Sequence, residues 1–159
     1  MLKFNTKGYI EPSLNIKTNI SEFELEFVNS LNTPERVELY KLYRSYSDAL
    51  KLKLKSAPLL QWINGSFATK KPEPTDFDLV TFIDYEEIIP VEHELADFKF
   101  PNSMTKFGID AYIVKVYPRG HVNYPLYMGD RLYWMDLFTK AKRNRRGIKH
   151  PKGFIELIY

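Results

Sequence analysis

The sequence predicts a single α+β (α/β-like) domain, and three observations predict it. Two apolar runs, Leu59 to Ile63 and Leu79 to Ile83, bracket a polar loop rich in Gly, Lys and Pro, giving strand, turn, loop, strand. A segment from Gly108 to Tyr117, dense in β-branched and aromatic residues and stopped by Pro118, reads as a further strand. Between Thr33 and Lys55 the apolar residues Val37, Tyr40, Tyr43, Ala49, Leu50 and Leu54 recur near helical spacing, with Lys and Arg between them. A chain of 159 residues, 44% hydrophobic and 15% aromatic, suits one domain with a substantial packed core.

Taken in order, residues 1–20 carry Gly8, Pro12 and Ser13 among scattered apolar residues and read as an irregular arm with a short strand. Ser21-Glu22-Phe23-Glu24 has the form of a capping box, so a short amphipathic helix is expected through about Leu31. Thr33 as cap, Pro34 at the first position and Glu35 in the first turn start the long helix, which Ser56-Ala57-Pro58 ends. After the second core strand, Asp84 to Glu87 and Val91 to Phe98 suggest helix entered or broken at Pro90, followed by a loop at Pro101-Asn102-Ser103. Pro118 to Pro125 reads as a turn-rich loop, Met128 to Lys142 as a helix, and Gly153 to Tyr159 as a closing strand or edge segment.

Composition removes several function classes. There is no cysteine, hence no disulfide framework and no thiolate metal site. His93, His121 and His150 are isolated, with no spacing suited to zinc. The first residues lack an apolar leader and no run is long enough to span a bilayer, so a cytoplasmic protein without membrane contact is expected. Net charge is only +3, yet residues 140–152 hold seven Lys or Arg and no acid, a footprint for phosphate or nucleic acid as well as for a solvated face.

The chemistry concentrates between Gly65 and Asp78. On a strand, Asp76 and Asp78 would project to one face with Cβ atoms about 6.5–7 Å apart, while Phe77 points into the core. Two carboxylates on one face repel unless a cation lies between them, and oxygen-only ligands suit Mg²⁺ completed by substrate phosphate. Gly65 allows close backbone approach to a phosphate, and the Ser66 hydroxyl with nearby N–H groups can donate to its oxygens. Asp110, early on the later strand, is the natural third ligand. The two halves imply one ligand, a Mg²⁺-bound triphosphate.

Gly65-Ser66, then Asp76-Phe77-Asp78, then Asp110 resemble the DNA polymerase beta type nucleotidyltransferase superfamily, especially its minimal bacterial members. Phe4-Asn5, Gly8-Tyr9-Ile10, Pro12, Gly65-Ser66-Phe67, Lys152-Gly153 and Glu156 are in addition similar to a small, poorly characterised bacterial family within it. The resemblance implies a nucleotidyltransferase fold, a mixed sheet flanked by helices, with Asp76, Asp78 and Asp110 holding two Mg²⁺ ions and Asp110 helping to activate the acceptor hydroxyl. It implies in-line attack on the α-phosphate of an NTP with loss of pyrophosphate. Gly65 and Ser66 would bind the phosphates together with Lys70 or Lys71. Many minimal members carry a basic residue soon after the serine; here Phe67 and Ala68 intervene, which leaves open which lysine takes that part. The acceptor implied is a hydroxyl of a protein or of RNA such as tRNA, within a toxin-antitoxin or defence pair.

Each signal has a plainer reading. Asn64-Gly65 is also a favoured hairpin turn, Lys70 and Lys71 also solvate a loop, and Trp62 and Trp134 also serve as core. The alternatives to an enzyme are a non-catalytic antitoxin-like module and an RNA-binding protein working through residues 140–152, each retaining the fold.

Overall fold

The computed structural model describes residues 2–54 and 58–159. Its strands are β1 (Lys3–Phe4), β2 (Ile10–Glu11), β3 (Asn15–Thr18), β4 (Leu60–Asn64), β5 (Asp78–Asp84), β6 (Asp110–Val116) and β7 (Phe154–Ile158). Its helices are α1 (Ile20–Glu24), α2 (Pro34–Leu54), α3 (Tyr85–Ile88), α4 (Asn102–Phe107) and α5 (Tyr124–Phe138). α1 widens into a π-helical turn, Leu25–Asn29, and α3 tightens into a 3₁₀ segment, Ile89–Phe98.

Five strands form a mixed sheet in the order β3-β7-β4-β5-β6. β3 with β7 and β5 with β6 are parallel; β4 is antiparallel to both β7 and β5. The central runs are apolar on both faces because both faces are covered by helices. Ile63, Leu79, Ile83, Ala111, Ile155 and Leu157 pack on one side with Phe23 and Phe27 from the α1 region, Tyr43 and Leu50 of α2, and Leu95 and Phe98 of the β5–β6 crossover. Trp62, Val80, Phe82, Val114 and Phe154 pack on the other with Phe138, Trp134 and Met135 of α5. The architecture is thus α+β, a mixed sheet flanked by helices.

α2 is seated by a buried polar relay as well as by apolar contact. The Tyr43 hydroxyl donates to Gln61 Oε1 at 2.8 Å, and Gln61 Nε2 donates to Ser47 Oγ at 3.1 Å. With every member satisfied, such a relay fixes helix register against the sheet instead of costing stability.

Several boundaries differ from the sequence reading, each for an identifiable reason. The arm is more ordered than expected: β1 and β2 pair, Tyr9 bridges Thr69, and β3 joins the main sheet. The short helix is capped by Asn19, whose side chain accepts from Glu22 N at 2.9 Å, instead of by Ser21. Pro101-Asn102-Ser103, read as a loop, opens α4, which stops at Gly108 in the left-handed conformation (φ 70°). α5 starts and ends earlier than Met128 to Lys142, because Pro125 lies in its first turn, where a missing N–H costs nothing. β7 is internal, not an edge. The predicted end of the long helix at Lys55, with Ser56 and Ala57, lies outside the described residues. No helix among the described residues is long and apolar enough to cross a membrane.

Candidate active site

β4 ends at Asn64, and the next residue must turn the chain under β5. Gly65 does so at φ +79°, where a Cβ would meet Asp76 O at 2.7 Å and Asp78 N at 3.1 Å. We expect Gly65→Ala to lower stability by about 2 kcal/mol or more, from left-handed strain plus a backbone clash. A urea unfolding curve checks this, and an unchanged midpoint would contradict it.

Ser66 then ties the turn to the first carboxylate. Its N–H donates to Asp76 Oδ1 at 2.9 Å, its hydroxyl makes a short hydrogen bond to the same oxygen, and its Oγ accepts from Thr75 N at 2.8 Å. The loop beyond is pinned from below by Arg36, which is 0% exposed. Its guanidinium donates to the carbonyls of Phe27 (2.9 Å), Phe67 (3.0 Å), Thr69 (2.6 Å) and Lys71 (2.5 Å) and lies over the Phe67 ring at 5.1 Å. Burial pulls its pKa down to about 10, so it stays charged at neutral pH.

Strand register sets the carboxylates. Asn64 is opposite Asp78, and Asp78 is opposite Asp110, so three oxygen-bearing side chains stand abreast on three neighbouring strands, on the face covered by α5. Asp76 lies just before β5, in the loop, and not on the strand with Asp78 as the sequence suggested. Burial, then the charges of Asp76 and Asp110, push the Asp78 carboxyl up to about 6. Burial opposes ionisation of Asp76 too, but Lys142 and Ser66 together outweigh it and hold that carboxyl at about 2. Asn64 Oδ1 and Asp110 Oδ1 are buried with no hydrogen-bond donor among the described residues. Buried acceptors without donors flanking a disfavoured carboxylate are a donor set suited to a hard cation. Among the described residues no three His, Cys, Asp or Glu side chains are gathered closely enough to hold a metal ion as they stand, and the Asp76 carboxylate is engaged by Ser66 and Lys142.

The basic segment folds over this row. Lys140 bridges Pro151, Ala141 N donates to His150 O at 2.8 Å, and Lys152 N donates to Thr139 O at 2.9 Å, forming a hairpin. Lys142 Nζ reaches Asp76 Oδ2 at 2.8 Å from an otherwise exposed position. Lys152 is different in kind: it is 6% exposed, its ammonium donates to Gly65 O at 3.0 Å, and burial lowers its pKa to about 8. A buried lysine beside the Gly65 turn and the carboxylates is a site residue that sequence reasoning missed, its one signal being the Lys-Gly pair before the last strand.

Of the two loop lysines, Lys70 pairs with Glu26 and lies 4.5 Å from the Phe4 ring centre, while Lys71 is exposed and offers its carbonyl to Arg36. Both border a cleft of about 1300 Å³ whose walls include Gly65, Ser66, Asp76, Asp78, Asp110 and Lys152. Tyr112, Tyr133 and Trp134 form its apolar side.

The chain matches a family of unknown function (DUF6932) over residues 2–158, and it belongs to that family. No curated protein and no solved structure matches it.

Proposed function

We propose that this member of the family is a divalent-cation-dependent nucleotidyltransferase, which moves a nucleoside monophosphate from an NTP to a hydroxyl of a protein or RNA acceptor. The observation that carries the reading is the row Asn64, Asp78, Asp110, with two orphaned buried oxygens and a carboxylate held up to about 6, facing a lysine-lined cleft. Two buried oxygens without donors beside a disfavoured carboxylate ask for a cation, and the lysines opposite them ask for an anion; a metal triphosphate answers both.

Asp78 and Asp110, joined by Asp76 when it leaves Lys142, would hold Mg²⁺, with the amide oxygen of Asn64 alongside. Bound Mg²⁺ supplies charge neutralisation on the phosphate oxygens. Gly65 and Ser66 bring backbone against the distal phosphates, and Lys152 and Lys142 offset charge on the departing pyrophosphate. The acceptor oxygen forms its bond to the α-phosphorus as the bond to the bridging oxygen breaks. The acceptor proton passes to the Asp110 carboxylate and on to water.

A second reading has its own support. Because Lys142 already pairs with Asp76, a non-catalytic module that binds nucleic acid or a toxin partner fits that ion pair. Calorimetric titration of each NTP with Mg²⁺ into the wild type and the Asp76→Ala/Asp78→Ala variant separates the two. Metal-dependent binding that the variant loses is the expected result. Absence of binding by the folded wild type would favour the module.

A further inference from the structure

The hairpin over the cleft carries more positive charge than a metal triphosphate uses. Its base is tied down by Lys140 to Asp136, Lys142 to Asp76 and the buried Lys152 to Gly65 O. Its tip is held in shape by Asn144, whose side-chain oxygen accepts from Arg146 N and Ile148 N, both at 2.9 Å. A tip ordered by its own backbone bonds holds its side chains outward at little further entropic cost. Arg145, Arg146 and Lys149 are exposed on it, Arg143 is exposed but turns back to donate to Gly147 O at 3.1 Å, and among the described residues no ion pair links any of the four to a carboxylate. The sequence has no acid between Asp136 and Glu156 to neutralise them.

The cleft has room and positive charge beyond its row of carboxylates. Its volume of about 1300 Å³ exceeds the roughly 300–1000 Å³ of a pocket for a single small ligand. Eight basic residues line it against three carboxylates. Beside Lys140 and Lys142 its wall exposes Tyr133 (61%) and Leu137 (41%), with Tyr112 and Trp134 in ring contact behind them at 4.5 Å. A cationic track running onto an aromatic wall is the pattern that binds a single nucleic-acid strand, its phosphates on the track and its bases on the rings. A protein acceptor needs no such surplus of unpaired arginine.

Resting on the nucleotidyltransferase reading of the same site, we propose that the acceptor is the end of a single nucleic-acid strand, led into the cleft by the arginine-rich hairpin tip. The terminal sugar hydroxyl forms the new bond to the α-phosphorus of the NTP. The bond to pyrophosphate breaks with its electron pair, and the hydroxyl proton leaves through Asp110. The strand is lengthened by one nucleotide, and pyrophosphate is the second product.

The test compares wild type with Arg145→Ala/Arg146→Ala, a change confined to exposed positions. The probes are fluorescein-labelled single strands of RNA and of DNA, about 12 nucleotides long with free 3′ ends, followed by anisotropy over a salt series. In parallel, Mg²⁺-dependent NTP binding is titrated, and transfer of labelled nucleotide to each strand is scored on a gel. Two phosphate contacts at about 0.7 log unit each predict roughly 25-fold weaker strand binding at 0.1 M salt and a log–log salt slope shallower by about 1.4. NTP binding should be unchanged, and the RNA and DNA arms say which sugar is accepted. The proposal is overturned if the wild type binds neither strand, if the variant binds as well as wild type, or if label is transferred to protein and not to either strand; NTP binding that persists in these cases leaves the transferase reading standing. Strand binding without metal-dependent NTP binding overturns the transferase reading instead, and the acceptor role with it.

Discussion

Arg36→Ala is expected to lower the unfolding free energy by about 4 kcal/mol and to loosen the loop from Gly65 to Lys71. The substitution removes the donor shared by four carbonyls, those of Phe27, Phe67, Thr69 and Lys71, the first three of them in buried hydrogen bonds. Each stranded buried acceptor costs about 1–3 kcal/mol, and partial entry of water keeps the sum below full additivity. The Phe67 ring also loses the cation above it. Lysine does not repair the site, since one ammonium on a flexible stem cannot span carbonyls that the planar fork reaches together. Urea unfolding of wild type, Arg36→Ala and Arg36→Lys checks this, and a loss under 1 kcal/mol for the alanine variant would refute the pinning role. Because the loop leads to Ser66 and Asp76, metal-dependent NTP binding should weaken in the same variants.

Asp78→Asn should move stability and chemistry in opposite directions. Folding raises the Asp78 carboxyl from 3.8 to about 6, so at neutral pH the native state holds an ionised group that it disfavours. The folded chain binds an extra proton between about pH 4 and pH 6. Wild-type stability therefore falls as pH rises through that window and stays lower above it. The amide carries no such penalty. The variant should be more stable than wild type by about 3 kcal/mol above about pH 7, an advantage that fades as pH drops towards 4. Nucleotide transfer should fall roughly 1000-fold or more, since several kcal/mol of metal-supplied charge stabilisation depends on this carboxylate. Thermal melts across pH and a transfer assay with labelled NTP read both effects. A destabilised variant that still transfers at the wild-type rate would remove Asp78 from the reaction.

The parts of the candidate site that lie close together in the chain were legible in the sequence. Gly65, Ser66, Asp76 and Asp78 share one turn and its return, so turn chemistry brings them together although strand alternation misplaced Asp76, and Asp110 opens a strand that was legible as a strand while its pairing with β5 was not. What escaped came from distant segments. Arg36 carries no local signal of its role beyond being a cation at the positive end of a helix dipole, where one is disfavoured. Asn64 read as half of a hairpin turn, while register places it beside Asp78. Lys142 and Lys152 were seen as charge in a run, because nothing local distinguishes a lysine that folds back into a cleft from one that faces water. The last strand read as a closing strand or edge segment, but it is internal, and its Glu156 is 9% exposed and accepts from Trp62 Nε1 at 2.8 Å and Asn15 Nδ2 at 2.7 Å. A buried acid with two donors can sit inside a sheet, and that satisfaction is invisible before folding.

The insertion of β7 between β3 and β4 also bears on how the molecule is made. On the ribosome, β3 emerges early and waits, for its partner in the sheet is translated long after it. Until β7 docks, β4 presents an open edge, the condition under which nascent chains pair with the wrong neighbour. Lys152 stands two residues before β7 and enters the cleft with it. A chain synthesised just past Asp110 thus carries the three carboxylates without their buried lysine, and the cleft assembles only as the sheet is completed.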